Sequence, residues 1–257
     1  MKKSYTLILC LVFISLVFSG CSKKKDPFEL VDEADKLMKQ EEVRKAVPLY
    51  KEALEIDPDL KDARIKYIEA LIIKGDLAPA DEEVFKILKI NPQHKEGLKL
   101  KAKILLLTLE IDKSLELYNR LLEQYPDDPI IYHERGNAYA GKMEYEQAEQ
   151  DIKKAIELKP DYLEALLNLG VLYYKQDEYE KAIDAYSKVI NQKELKEDTV
   201  LTKPYLFAYY NRANAYLKLN ETDKAVKDLE TTAKYAPEES SVGQMSKKLI
   251  KDLKGDS

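Results

Sequence analysis

Side chains able to do chemistry are few in this chain of 257 residues. The two histidines, His94 and His133, could serve as metal ligands or general bases, but they lie 39 residues apart and no cysteine remains to join them. Asp62 and Glu69 sit two turns apart on one predicted helix face, and this is the one carboxylate pair that could do acid–base work. Solvated helix faces account for most such carboxylates. No Gly-rich phosphate loop, His-Glu-x-x-His helix or Gly-x-Ser-x-Gly turn occurs. An enzyme is therefore not the expectation, and neither a cofactor nor a metal is implied. The remaining reactive group is a thiol. Cys21 stands where an apolar run meets the cluster Lys23-Lys24-Lys25.

The segment around Cys21 predicts an exported protein. Met1-Lys2-Lys3 leads into an apolar stretch from Tyr5 to Phe18. At a helical rise of ~1.5 Å per residue that stretch covers about 21 Å, short of the ~30 Å hydrocarbon core, so a signal peptide is expected rather than a span. The sequence Phe18-Ser19-Gly20-Cys21 resembles the bacterial lipobox, with Phe18 where leucine is usual. That resemblance implies cleavage before Cys21 and acylation of its sulfur; Cys10, behind bulky Leu9, does not fit. Cleavage would leave Cys21 as the only cysteine, with no disulfide available inside the chain. An ordinary signal peptide with an unmodified thiol is the alternative. The expected segments are a lipoprotein signal peptide at 1–20 and a lipidated tether at 21–26, which reaches about 17 Å from the membrane. The location expected from the resemblance is a membrane-anchored lipoprotein, on the periplasmic face of the outer membrane if the host has two membranes.

The formal net charge of −5 becomes more negative when Lys2 and Lys3 are removed, which argues against nucleic acid as a partner. With 35% charged and 45% hydrophobic residues and only 8 glycines, the body reads as a helix-rich soluble unit.

The elements that position any site are set by a period. Pro58, Pro92, Pro126 and Pro160 recur every 34 residues. In that period the chain divides into 27–60, 61–94, 95–128, 129–162 and 163–196, with a sixth copy at 206–239 after a phase shift, and a capping helix and tail at 240–257. The eighth position carries Ala34, Ile68, Ala102, Gly136, Gly170 and Ala213; the twentieth carries Ala46, Ala80, Ser114, Ala148, Ala182 and Ala225. Small residues in these columns let paired antiparallel helices approach, and larger residues at the eleventh and twenty-fourth positions interlock around them. The connection after the fifth copy, which lacks the proline, is expected to be longer, with Thr202 capping the next helix and Pro204 in its first turn. Val242, Met245, Leu249 and Leu253 form the predicted apolar face of the capping helix.

The copy "LLNLGVLYYKQDEYEKAIDAY", with Leu166, Leu169, Gly170, Tyr173, Ala182 and Tyr186 in its slots, resembles the tetratricopeptide repeat. The resemblance implies an all-α fold, a right-handed superhelical solenoid of about six helix pairs with a C-terminal cap. It also implies a groove lined by positions 2, 5, 9 and 12 of each first helix, which receives a protein or peptide. In the first three copies that groove would carry Asp35, Asp62, Glu69, Glu96, Lys99 and Lys103. In the last three it would carry Ile130, His133, Asn137, Leu167, Asn168, Val171, Tyr174, Phe207, Tyr210 and Asn214, an apolar, aromatic and amide set suited to a peptide. Some family members grip a chaperone's C-terminal carboxylate with basic residues, but Phe207 and Asn211 stand where cations would be needed. The apolar stripe at position 12, with Ile73 and Leu107 beside it, is expected to pack on the next helix or to meet a second subunit. The expectation for function is a membrane-tethered scaffold that binds partners in the cell envelope, organising wall enzymes or assisting assembly of envelope or secretion machinery. A self-associating structural lipoprotein without a client is the alternative, and an enzyme the third reading.

Overall fold

The computed structural model describes residues 25–193, 201–238 and 240–255. Cys21 and the Glu194 region lie outside them. Among the described residues there are thirteen helices and no strand: α1 (Pro27–Lys39), α2 (Val43–Ile56), α3 (Lys61–Lys74), α4 (Leu77–Ile90), α5 (Lys95–Leu107), α6 (Ile111–Gln124), α7 (Pro129–Gly141), α8 (Tyr145–Leu158), α9 (Leu163–Lys175), α10 (Tyr179–Ile190), α11 (Lys203–Lys218), α12 (Thr222–Tyr235) and α13 (Ser241–Lys254). No helix among them is long and apolar enough to cross a membrane. The chain forms two compact units, Met1–Ala63 and Arg64–Ser257.

In the first unit α1 and α2 form a hairpin around Ala34 and Ala46, both fully buried. Asp26 caps α1 by accepting from the Phe28 amide, and the Tyr50 hydroxyl donates to Asp35 at 2.5 Å. Asp35 is thereby spent inside the hairpin.

In the second unit the small columns do what their size allows. Ala80, Ser114, Ala148, Ala182 and Ala225 are all fully buried, and the large residues one turn further along the same helices, Val84, Tyr118, Ile152, Tyr186 and Leu229, are no more than 1% exposed. Ser114 keeps the fit despite its hydroxyl by donating to the Ala102 carbonyl at 2.7 Å. Glycine is required at two crossings of the same repeat column: a Cβ on Gly170 would stand 2.4 Å from the Tyr186 ring, and one on Gly136 would stand 2.8 Å from Ile152 Cγ1. Each helix packs on the next from α4 to α13, and α5, α7, α9 and α11 also touch in sequence, which makes the first helix of each pair a neighbour of the next pair's first helix.

A turn recurs at the fifteenth position of every copy. Glu41, Gly75, Leu109, Met143, Asp177 and Asn220 all adopt φ between 59° and 91°. The following amide closes back on the eleventh residue, as in Glu110 to Leu105 at 2.8 Å and Glu144 to Tyr139 at 2.9 Å. This is the left-handed helix stop that glycine favours, yet only Gly75 is glycine.

Two buried ion pairs repeat as well. Arg135 grips Asp151 with two bonds of 2.7 Å and reaches Asn119, while its guanidinium faces the rings of Tyr132 and Tyr139. Arg212 does the same with Asp228, Ser187, Tyr209 and Tyr216. Each arginine joins its own pair to the preceding helix, a bidentate geometry that lysine could not supply.

At the C-terminal end the capping helix turns a slightly different face inward than expected. Val242 and Ser246 are buried and Leu249, Ile250 and Leu253 pack on the Ala213–Leu229 cluster, whereas Met245 is 51% exposed. Ser246 can point inward because its hydroxyl donates to the Val242 carbonyl. Thr202 stands at the N-cap of α11 without a side-chain cap bond, and Pro204 lies in the first turn. In place of that bond the Leu201 amide donates to the Tyr235 carbonyl at 3.2 Å, and the buried Leu201 side chain fixes the entry.

Candidate functional site

The two histidines turn out to serve the scaffold. His94 caps α5, its Nδ1 accepting from the Gly97 amide at 3.1 Å. His133, expected on the groove surface, is only 7% exposed. It sits on α7 beneath a small polar network. Its Nε2 faces two amide donors, Asn137 Nδ2 at 3.2 Å and Asn168 Nδ2 at 2.9 Å, so Nε2 accepts and the ring proton resides on Nδ1, directed to the Tyr162 hydroxyl at 3.0 Å. Asn168 Nδ2 gives its second hydrogen to Asn137 Oδ1 at 2.9 Å. Burial, assisted by the charge of Lys103, depresses the imidazole to a pKa of about 4, which keeps it neutral in this role. Burial likewise pushes the Tyr162 hydroxyl up to about 12.

Two polar positions of the network have no partner among the described residues. Asn137 retains one N–H and Asn168 its Oδ1, a donor and an acceptor held in place by a buried ring. That is the complement of a peptide backbone. Asn214, by contrast, donates to the Tyr210 carbonyl of its own helix at 3.0 Å.

The apolar members of the candidate set divide by exposure. Ile130 and Phe207 are each 39% exposed. Leu167, Val171, Tyr174 and Tyr210 are half-buried and packed on the core beneath, and the Tyr174 ring meets Tyr179 edge-on at 5.4 Å. The position-12 stripe follows the packing expectation, with Ile72 buried and Leu106 half-buried; the exposed residues are its neighbours Ile73 and Leu107.

On α5 and α7 a charged cluster adjoins the network. Lys99 bonds Glu96 at 3.1 Å with its side chain 11% exposed. Glu134 lies against Tyr118, and its Oε2 is sealed from solvent with no hydrogen-bond partner. Burial raises its carboxyl above the usual range, opposed by the charges of Lys99 and Lys103. Asp62 and Glu69 are both exposed, and no group of three or more His, Cys, Asp or Glu side chains among the described residues could hold a metal.

A side-by-side row of helices bearing a strip of amides and half-buried aromatics defines a helical-repeat protein. Tetratricopeptide repeat models match residues 37–104, 133–195 and 208–239, and the chain belongs to that family. It is 29% identical over 96 residues to small glutamine-rich tetratricopeptide repeat-containing protein 2 of Saccharomyces cerevisiae, covering 37% of this chain and 28% of that one. It is 23% identical over 234 residues to anaphase-promoting complex subunit 3 of Schizosaccharomyces pombe, covering 76% and 34%. The chain thus spans about a third or less of these relatives' length. Its fold matches that of PilW, described as a type IV pilus biogenesis factor, with a TM-score of 0.63, 18% identity, and coverage of 85% of this chain and 97% of that one.

Proposed function

We propose that the protein is a membrane-tethered scaffold lipoprotein of the cell envelope, holding a protein partner along α7, α9 and α11. The carrying observation is the unspent donor of Asn137 and acceptor of Asn168, oriented by a buried neutral histidine and flanked by Ile130 and Phe207. A polar pair held this rigidly in a groove loses little freedom on binding, which favours affinity. Cys21, outside the described residues, would supply the tether as an acylated thiol, with Lys23 to Lys25 as a short spacer. Envelope or secretion-complex assembly and organisation of wall enzymes are the roles this reading covers. Self-association is a second reading, supported by Leu109 and Met143, which are 81% and 75% exposed on adjacent turns.

The test is crosslinking pull-down from membranes with the wild-type chain and with Ile130→Ala/Phe207→Ala. The scaffold reading expects a heterologous partner that the double variant captures poorly at unchanged helicity. Recovery of nothing but the chain itself would favour self-association.

A further inference from the structure

We infer that copies of this chain associate head to tail, the exposed face of α1 in one copy docking on the exposed face of α13 in the next. The occupant of each face is a second copy, and the contact lies outside the groove proposed above.

Exposed helix faces in this protein commonly neutralise themselves. Lys45 pairs with Glu42, Lys113 with Glu110, Lys181 with Glu178 and Lys224 with Glu221, each three residues apart on one helix. α1 and α13 depart from that pattern with opposite signs. On α1, Glu29, Asp32 and Glu33 are exposed and carry no ion pair among the described residues, and on α13 the same holds for Lys247, Lys248 and Lys251. The opposite charges within reach on the same helices, Lys36 and Asp252, are exposed as well and bond none of them.

Like charges three or four residues apart, as in Glu29 with Asp32 and Glu33 or Lys247 with Lys251, disfavour the helix that bears them. The helix dipole accounts for Glu29 in the first turn of α1 and Lys251 in the last turn of α13. It does not account for Asp32, Glu33, Lys247 and Lys248. A face of opposite charge relieves the repulsion, and the chain itself carries one face of each sign. Each run also holds a large apolar side chain: Phe28, 62% exposed, stands four residues before Asp32, and Met245, 51% exposed, three before Lys248. A thioether against an aromatic ring is a favourable contact, so the two faces match in their apolar members as well as in sign. Exposed ion pairs are weak singly and screened by salt. The association is therefore concentration-dependent and salt-sensitive.

Sedimentation velocity on the full chain, with detergent micelles in excess over protein, tests this. The wild type is compared with Glu29→Lys/Asp32→Lys/Glu33→Lys and with Lys247→Glu/Lys248→Glu/Lys251→Glu, all checked for equal helicity. The wild type should self-associate at about 0.05 M salt and separate at about 0.5 M. Either variant alone should associate on the order of tenfold more weakly. An equimolar mixture of the two should recover the association, because a chain with two basic faces then meets one with two acidic faces. A wild-type mass independent of concentration overturns the inference, as does a variant that associates like wild type or a mixture no larger than its components. Loss of self-association in Ile130→Ala/Phe207→Ala would move the contact into the groove and overturn it too. So would α13 lysines needed for binding phosphatidylglycerol vesicles but not for self-association.

Discussion

Replacing Gly170 by alanine isolates the packing argument from the helix argument, because the two act with opposite sign. Alanine favours a helix interior over glycine by about 0.8–1.0 kcal/mol. Against that, the new methyl would lie 2.4 Å, 2.6 Å and 2.9 Å from three carbons of the Tyr186 ring. Tyr186 is 1% exposed and enclosed by its neighbours, so the ring has little room to withdraw. Overpacking of this kind costs roughly 1–3 kcal/mol. Three contacts below 3 Å put this site in the upper half of that range, so the expected balance is a loss of about 1–2 kcal/mol, or a melting temperature lowered by roughly 2–8 °C. Gly141→Ala is the control: its Cβ would meet Leu106 at 3.5 Å and Ile111 at 3.9 Å, ordinary contact distances. Its gain is below ~1 kcal/mol, because Gly141 ends α7. Thermal unfolding by circular dichroism reads both. A Gly170→Ala chain that melts at or above wild type would refute the claim that glycine is there to admit the tyrosine.

Leu109→Asn should raise the melting temperature slightly, since Leu109 holds φ 64° with its side chain 81% exposed and asparagine adopts that conformation more readily. Arg212→Met should cost about 3 kcal/mol or more in chemical denaturation, because it leaves the 5%-exposed Asp228 without its bidentate partner. His133, depressed to about 4 by burial, contributes stability that is complete above its unfolded value of ~6.5 and declines as the pH falls toward 4, by at most ~3 kcal/mol. Glu134, raised by burial, acts with the opposite sign, so the check is a loss of pH slope between 6.5 and 4 in His133→Gln at constant Glu134. Cys21→Ala should abolish incorporation of a labelled fatty acid, and an unlabelled wild-type chain would end the lipoprotein proposal.

The helical architecture was legible because its determinants are columns of size: residues as different as Ser114, Ala148 and Ala225 share zero exposure at one position of the period. The turns were not, since Leu109 and Met143 carry no left-handed signature and are held there by the closing bonds of the helices on either side. Arg135 with Asp151 and Arg212 with Asp228 repeat at the same two positions of their copies, a signal present in the sequence but indistinguishable there from solvated charge. His133 lies on α7, the first helix of its pair, but is buried rather than exposed. A groove position can be occupied by its own neighbours, and only the three-dimensional proximity of Tyr162, Asn137 and Asn168 shows that the ring is consumed in orienting them.

Whether a foreign protein lies along α7, α9 and α11 is measured most directly by site-specific photocrosslinking in the source cells. A photoreactive amino acid is placed at Ile130 or Phe207 and, for comparison, at Glu146 on α8 or Lys188 on α10, all four being exposed positions. A heterologous protein adduct is expected from Ile130 and Phe207 and none from Glu146 and Lys188. Adducts arising from Glu146 and Lys188 alone, or only between copies of this chain, would contradict the scaffold proposal.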